Sequence, residues 1–230
     1  MTITNATKKA TRYACMNFHY AKAIPIGGIS YNIFNQNKEW CGVIIYSYGA
    51  NPRIGMPYGL KQGEICELTR VALNGKQEST SQAVSLSLKQ LKKDAPLIRL
   101  VVSYADCDQN HIGTIYQATN WIYEGEKVEN TIGGFLIHER GGVIKKYHKK
   151  SIYSHMIVEN GVKKHCPQTL EYVRKYIDPK AEYFITKGKR KYLMPLDKRM
   201  RKQIQHLSQP YPKTDANWQK IDRQLFKNKQ

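Results

Sequence analysis

The stretch from Leu97 to Gly125, LIRLVVSYADCDQNHIGTIYQATNWIYEG, constrains the fold more than any other part of the 230-residue chain. Leu97 to Tyr104 is an apolar run between Pro96 and Asp106 and reads as a buried strand. The polar connection Asp106 to Asn110 follows. His111 to Trp121 places Ile112, Ile115, Tyr116 and Thr119 at helical spacing, after which Trp121, Ile122 and Tyr123 resume a strand-like run. Strand, loop, helix and strand in that order make an α/β unit. A loop running from a strand end into a helix N-terminus offers amides and a positive dipole end to a ligand, so this stretch is the first candidate site.

The remaining segments supply its neighbours. Residues 1–12 are polar and are expected to fray. RYACMNFHYAKAIPIGG carries His19 and Tyr20 side by side; on a strand they would face opposite ways, whereas in a helix or turn both could approach one pocket. A core tyrosine next to a half-buried histidine explains the pair equally well. Ile29 to Asn35 and Trp40 to Tyr48 read as a hairpin around QNKE, and the Gly- and Pro-rich GANPRIGMPYGLKQG, with Arg53 and Tyr58, is either a cover over a site or a plain connection. Glu64 to Leu73 reads as a strand carrying Arg70, which could face a pocket or pair at the surface. A helix is expected from about Ser79 to Lys93, capped by Ser79, Thr80 or Ser81, and its N-terminal amides could hold a phosphate. Asp106 could act as a general base or orient an amine, and Tyr116 could protonate a leaving group. Helix capping by Asp106 or Asp108, with Tyr116 in the core, fits the same residues.

Charge points to a partner. Residues 1–139 hold 14 Lys+Arg against 11 Asp+Glu, while residues 140–230 hold 23 against 7, so that +16 of the net +19 lies in the second part. The expected organisation is a catalytic core over 13–139 with a basic extension over 140–230 packed on it. A field of this kind favours nucleic acid through counterion release. Lys149, Lys150, Lys163 and Lys164 are candidates to face phosphate, amid interleaved tyrosines suited to base stacking. AEYFITKGKRKYLMPL reads as a strand pair turning at Lys187-Gly188-Lys189, which would place Lys187, Lys189, Arg190 and Lys191 near a basic tip. Between these, Gly133 to His138 continues the sheet, His138 to Lys150 is a basic loop, Pro167 to Tyr176 a short helix and Asp197 to Leu207 a basic helix. The five cysteines are odd in number and contain no CxxC pair, which favours reduced thiols over disulfides or a Cys-rich zinc site. No apolar run approaches the roughly 20 residues of a membrane span, and the first residues lack the apolar middle of a secretion signal, so a cytoplasmic protein is expected. Oligomeric state is left open, a homodimer included.

SYADCDQNHIGTIYQATNWIYEG, with ELTRVAL and FHYAK upstream and KRKYLMPLDKRMRK downstream, resembles the phage Mom family of DNA-modification enzymes, from about Tyr13 to Arg201. The resemblance implies a divergent GNAT-like acyltransferase fold, a mixed and mostly antiparallel sheet flanked by helices. It implies conversion of adenine in double-stranded DNA to a form carbamoylmethylated on its exocyclic amine, which protects phage DNA from restriction. By the same likeness the functional positions are His19, Tyr20, Arg70, Asp106 and Tyr116. The usual GNAT pyrophosphate loop is absent; NGKQESTSQ, with Ser79, Thr80 and Ser81, stands where an acyl-CoA such as acetyl-CoA would bind. Iron is a further cofactor that the family suggests, with His19 and Asp106 as conceivable ligands. Two other readings stay open, a non-catalytic DNA-binding protein on a GNAT-like fold and a GNAT N-acetyltransferase with another acceptor.

Overall fold

A computed structural model of the chain describes residues 1–49, 51–127 and 131–213. The chain divides into two compact units, Met1–Glu126 together with the segment from Lys189 onward, and Lys127–Gly188. These divisions fall at 126/127 and 188/189, whereas the change in charge falls at 139/140.

The first unit begins with β1 (Thr2–Asn5), α1 (Lys8–Phe18), β2 (Ile29–Phe34), β3 (Trp40–Ser47), β4 (Ile65–Leu73), α2 (Thr80–Asp94), β5 (Leu100–Asp106), α3 (Thr114–Gln117) and β6 (Ile122–Lys127). The second unit holds β7 (Thr131–His138), β8 (Ile144–His148), α4 (Lys149–Tyr153), β9 (Met156–Glu159), β10 (Val162–His165), α5 (Leu170–Tyr176) and β11 (Glu182–Thr186). The chain then returns to the first unit with β12 (Lys189–Pro195) and α6 (Lys198–Ile204). A seven-stranded sheet in the order β1-β2-β3-β4-β5-β12-β6 organises the first unit. Its β4/β5 pair is parallel, and β1/β2, β2/β3, β3/β4 and β5/β12 are antiparallel. The expected mixed, mostly antiparallel sheet flanked by helices is therefore present.

Alternation on β3 assigns the two layers. Val43 and Ile45 meet Ala14 and Cys15 of α1, while Ile44 and Tyr46 meet Ala83, Val84 and Leu91 of α2 on the other face. Covered on both sides, β3 is buried from Cys41 to Ser47. The second unit is built on the antiparallel sheet β11-β7-β8 with the separate hairpin β10-β9, and its core gathers Phe135, Ile152, Ile157 and Val173. Among the described residues no helix is long and apolar enough to cross a membrane.

Four expectations are corrected. Residues 2–5 pair with β2, and Thr7 caps α1 by accepting from the Ala10 amide at 3.2 Å, so the N-terminal stretch is structured. The expected helix over 111–121 shrinks to Thr114–Gln117, because Asn110 (φ 55°), Gly113 (φ 77°) and Asn120 (φ 59°) adopt left-handed backbone at both ends. Beyond it, Asn120 N donates to Gln117 O and Trp121 N to Tyr116 O, the paired bonds of a Schellman ending. The basic loop over 138–150 contains strand β8 and the start of α4. Finally, β11 and β12 do not pair with one another: β11 joins β7 in the second unit and β12 joins β5 in the first. The 49–63 connection, for its part, sends Ile54, Tyr58 and Leu60 into a core with Leu100, Val102 and Ile204.

Gly113 is sterically required. A Cβ there would lie 2.4 Å from the ring of Tyr192, which is fully buried, and the backbone is already left-handed. Gly113→Ala is expected to destabilise the chain by roughly 2 to 4 kcal/mol through backbone strain and overpacking. Chemical denaturation checks this; a midpoint within the scatter of the natural protein would show that the ring gives way freely.

Candidate active site

Parallel pairing between β4 and β5 covers only Ile65↔Leu100, Cys66↔Val101 and Glu67↔Val102. Beyond that rung each strand continues without the other, β4 held on its outer side by β3 and β5 by β12. The opening between them is a cavity of about 510 Å³, lined by residues 67–71 of β4, residues 104–106 of β5 and residues 110–116. Phe18, His19 and Tyr20 at the end of α1, Thr80 of α2 and Lys189 of β12 complete the lining. All five candidate catalytic residues, His19, Tyr20, Arg70, Asp106 and Tyr116, meet in this one cavity.

Asp106 ends β5, and its two oxygens are held separately. Oδ1 accepts from the Asp108 amide at 3.0 Å, capping the turn Cys107–Gln109, and Oδ2 accepts from the Tyr20 hydroxyl at 3.1 Å. Asp106 therefore caps the short turn before α3 and also reaches the cavity, whereas α3 itself starts after Gly113 with no side-chain cap, so neither Asp106 nor Asp108 caps the expected helix. Burial, reinforced by Asp106, pushes the Tyr20 phenol up to about 12, so it stays protonated and remains the donor.

His19 stacks on Tyr20 with ring centroids 4.5 Å apart. Its Nδ1 accepts from the Ala21 amide at 3.1 Å, which places the proton of the neutral ring on Nε2. Burial, with the nearby Arg70 and His111, holds the imidazole down at about 4. Arg70 donates from Nε to the Ala23 carbonyl and from Nη1 to the Thr69 carbonyl, at 3.3 and 2.7 Å, which fixes the guanidinium at the cavity wall.

Tyr116 lies deeper, 8% exposed and packed on Trp121 and Tyr192. Burial pushes its phenol up, and the Ser103 hydroxyl, 2.8 Å from the Tyr116 oxygen, opposes that shift. A buried tyrosine that keeps its proton near neutrality is suited to act as an acid. Glu67 enters the same space; burial raises its carboxyl, and Lys189 and Arg70 pull it back. Glu67 and Lys189 join this site without a motif of their own to mark them. A charge inside the apolar strand ICELTRVAL was the available signal for Glu67.

The other candidates divide. Ser79 caps α2 by accepting from the Gln82 amide, its hydroxyl is 2.9 Å from that of Ser81, and Thr80 accepts from Gln77 Nε2 at 2.9 Å. Thr80 faces the cavity, whereas Ser81 opens on a separate cleft of about 400 Å³ between α2 and the end of α3. Among the described residues no group of three His, Cys, Asp or Glu side chains is disposed to hold a metal, so His19 and Asp106 gain no third ligand for iron. Of the basic residues, Lys150 and Lys163 are exposed and Lys149 is half-buried, all in the second unit. Lys164 is ion-paired with Glu159. Arg190 pairs with Glu126 and Lys191 with Glu124, each at 2.9 Å, so their charges are matched along β12, while Lys187 lies in the connection from β11 to β12.

The Mom protein family matches residues 1–213 of the chain. Methylcarbamoylase mom of Escherichia phage Mu is 27% identical over 186 residues, which span 76% of this chain and 68% of that protein. Two solved structures are similar at TM-scores of 0.42 and 0.38. One is a mutant of the spermidine N-acetyltransferase SpeG from Vibrio cholerae, 9% identical and covering 90% of this chain and 99% of its own. The other is a GNAT family acetyltransferase from Elizabethkingia anophelis with acetyl-CoA bound, 13% identical and covering 84% and 97%. Superpositions this loose assign no fold family by themselves.

The depressed His19 gives a pH signature. An ordinary imidazole protonates at 6.5, whereas this one protonates only near 4 in the folded chain. Between those values the unfolded chain binds the extra proton, so stability is fully present above about pH 6.5 and declines as pH falls towards 4. His19→Gln should flatten that segment of the curve of denaturation midpoint against pH; an unchanged slope would place the titrating group elsewhere.

Proposed function

The chain belongs to the Mom protein family, and on that footing we propose that it is a DNA-modifying transferase that carbamoylmethylates the exocyclic amine of adenine in double-stranded DNA. The observation that carries the reading is the convergence of His19, Tyr20, Arg70, Asp106 and Tyr116, from four separate parts of the sequence, on one cavity at the parting of β4 and β5. A protein that only binds DNA has no need for a buried phenol and an anchored carboxylate lining one cavity. At about 510 Å³ the cavity is in the range of small-molecule sites, which suits a base turned out of the duplex.

The amine of adenine is a weak nucleophile, because its lone pair is delocalised into the ring. Asp106, with Oδ1 held by a backbone amide and Oδ2 by Tyr20, accepts the amine proton as the nitrogen attacks. Neutral His19 offers Nε2–H, and Arg70 a fixed cation, to orient the acceptor. Tyr116 supplies the proton to the departing group. An acyl-CoA is the proposed carrier, and Thr80 at the N-terminus of α2, beside the capping Ser79, would hold its phosphates. For a carbamoylmethyl product the amine nitrogen would bond the methylene carbon of the transferred group while the bond from that carbon to its leaving atom breaks, since attack on a thioester carbonyl would leave an amide instead. The geometry supports this carrier, since a parallel pair that parts beside a helix N-terminus gives an extended cofactor a place to enter. In the second unit Lys149, Lys150 and Lys163 are the cations proposed to meet phosphate, offsetting part of the cost of unstacking the base.

Mass spectrometry of nucleosides from plasmid DNA after expression tests the reading, with modified adenine expected. Asp106→Asn and Tyr116→Phe should each lower modification by about 100-fold or more while DNA binding is retained. An unmodified adenine pool under active expression of the natural chain would sink the proposal. A Lys149→Ala, Lys150→Ala, Lys163→Ala chain should bind duplex DNA with a shallower salt dependence, the slope of log affinity against log salt falling by about 0.9 for each phosphate no longer neutralised. An unaltered slope would take these three out of the DNA path.

A further inference from the structure

Ser103 stands one residue past the last parallel rung, Glu67↔Val102. With the ladder at an end, the Leu68 carbonyl has no backbone amide to meet from β5, and the Ser103 hydroxyl donates to it instead at 2.8 Å. The same Oγ is 2.8 Å from the Tyr116 oxygen. Both residues are out of solvent, Ser103 at 1% exposure.

A serine hydroxyl has one proton to give and can accept two. When that proton is on the Leu68 carbonyl, the Tyr116 phenol is the donor in the second contact. When it is turned to Tyr116, the carbonyl goes without and the phenol proton is released towards the cavity. Ser103 Oγ makes no further hydrogen bond among the described residues. The hydroxyl therefore has two settings, and the only group behind it is a carbonyl, which neither stores nor supplies a proton.

Resting on the reading of Tyr116 as the acid, we propose that Ser103 is a positioning residue that turns its single proton from the Leu68 carbonyl to the Tyr116 oxygen as the phenol gives up its own. In that step the Tyr116 O–H bond breaks, its electron pair stays on the phenolate and the proton joins the departing atom, which leaves with the pair of its former bond. Ser103 keeps its proton throughout and only redirects a hydrogen bond. The buried phenolate thus meets a donor at the moment it becomes an anion, when such a bond is strongest. With the Leu68 carbonyl as the group behind Ser103 among the described residues, Tyr116 regains its proton from the cavity side, so the phenol is reset only after the departing group has cleared it.

The test places 3-fluorotyrosine at position 116 of the full chain and follows its ¹⁹F resonance through a pH titration in the natural, Ser103→Ala and Ser103→Thr backgrounds. Ser103→Ala should move the phenol titration upward by about one pH unit or more, because the phenolate loses its donor, and Ser103→Thr should restore it. In the nucleoside assay Ser103→Ala should lower kcat about tenfold with KM little changed, and Ser103→Thr should recover it. A titration unmoved in Ser103→Ala overturns the proposal whatever the activity. Full activity in Tyr116→Phe instead sinks the assignment of Tyr116 as the acid, and the two failures are read on different variants. Should Ser103→Ala fail to fold, Ser103→Cys, a weaker donor, should give an intermediate upward shift, and no shift there overturns the proposal as well.

Discussion

The site depends on where one ladder of hydrogen bonds stops. Parallel strands joined by a crossover helix ordinarily pair along their common length, yet β4 and β5 share three rungs and then part. Each stays rigid because its other edge is held, β4 by β3 over Glu67–Leu73 and β5 by β12 over its whole length. Two walls of the cavity are therefore strands, and Arg70 and Asp106 on them are fixed by backbone pairing outside the opening, while residues 18–20 and 110–116 close the rest. Asp106 is directly opposite Lys189 in that register, so the carboxylate proposed as base and a cavity-lining cation are placed by the same ladder. The freed Leu68 carbonyl has to be satisfied, and its solution, Ser103, is also what touches Tyr116.

Local periodicity made much of the fold legible. The β2/β3 hairpin, β4, α2 with Ser79 as its cap, and the core of β5 all lie where apolar spacing and turn residues place them. It misled where a backbone conformation overrode spacing: Ile112, Ile115, Tyr116 and Thr119 fit a helix, but Gly113 and Asn120 in left-handed conformation reduce it to one turn. It was silent where partners are far apart in sequence. TITN has no strand signature alone and forms β1 only because β2 is there to receive it. The Lys187-Gly188-Lys189 turn likewise looks like a hairpin tip, and nothing local says that its two arms serve different sheets.

The site shows the same division. Chemistry along the chain does not choose between Asp106 as cap and Asp106 as a cavity group, because one carboxylate has two oxygens: one accepts from the Asp108 amide and the other from Tyr20 at the cavity. The family likeness named five positions; their meeting is a fact of the fold, since residues 19, 70, 106 and 116 lie on four different elements or connections. Net charge was the least specific guide. Arg190, Lys191 and Lys164 contribute to the basic total yet sit against Glu126, Glu124 and Glu159. Formal charge counts such residues at full value, whereas an approaching polyanion meets them already paired.

The return of the chain at β12 also orders how the protein can be made. β6 lies beyond β12 in the sheet, so residues 122–127 reach their neighbour only after the 127–188 unit and Lys189–Pro195 have left the ribosome. Until then β5 has a bare edge and the cavity lacks its Lys189 wall. The candidate site is thus a late product of synthesis: a chain cut short anywhere in the inserted unit carries every one of His19, Tyr20, Arg70, Asp106 and Tyr116 and still lacks the strand that pairs with Asp106. A nascent fragment of this kind has the residues of the candidate site without the pairing that sets their geometry.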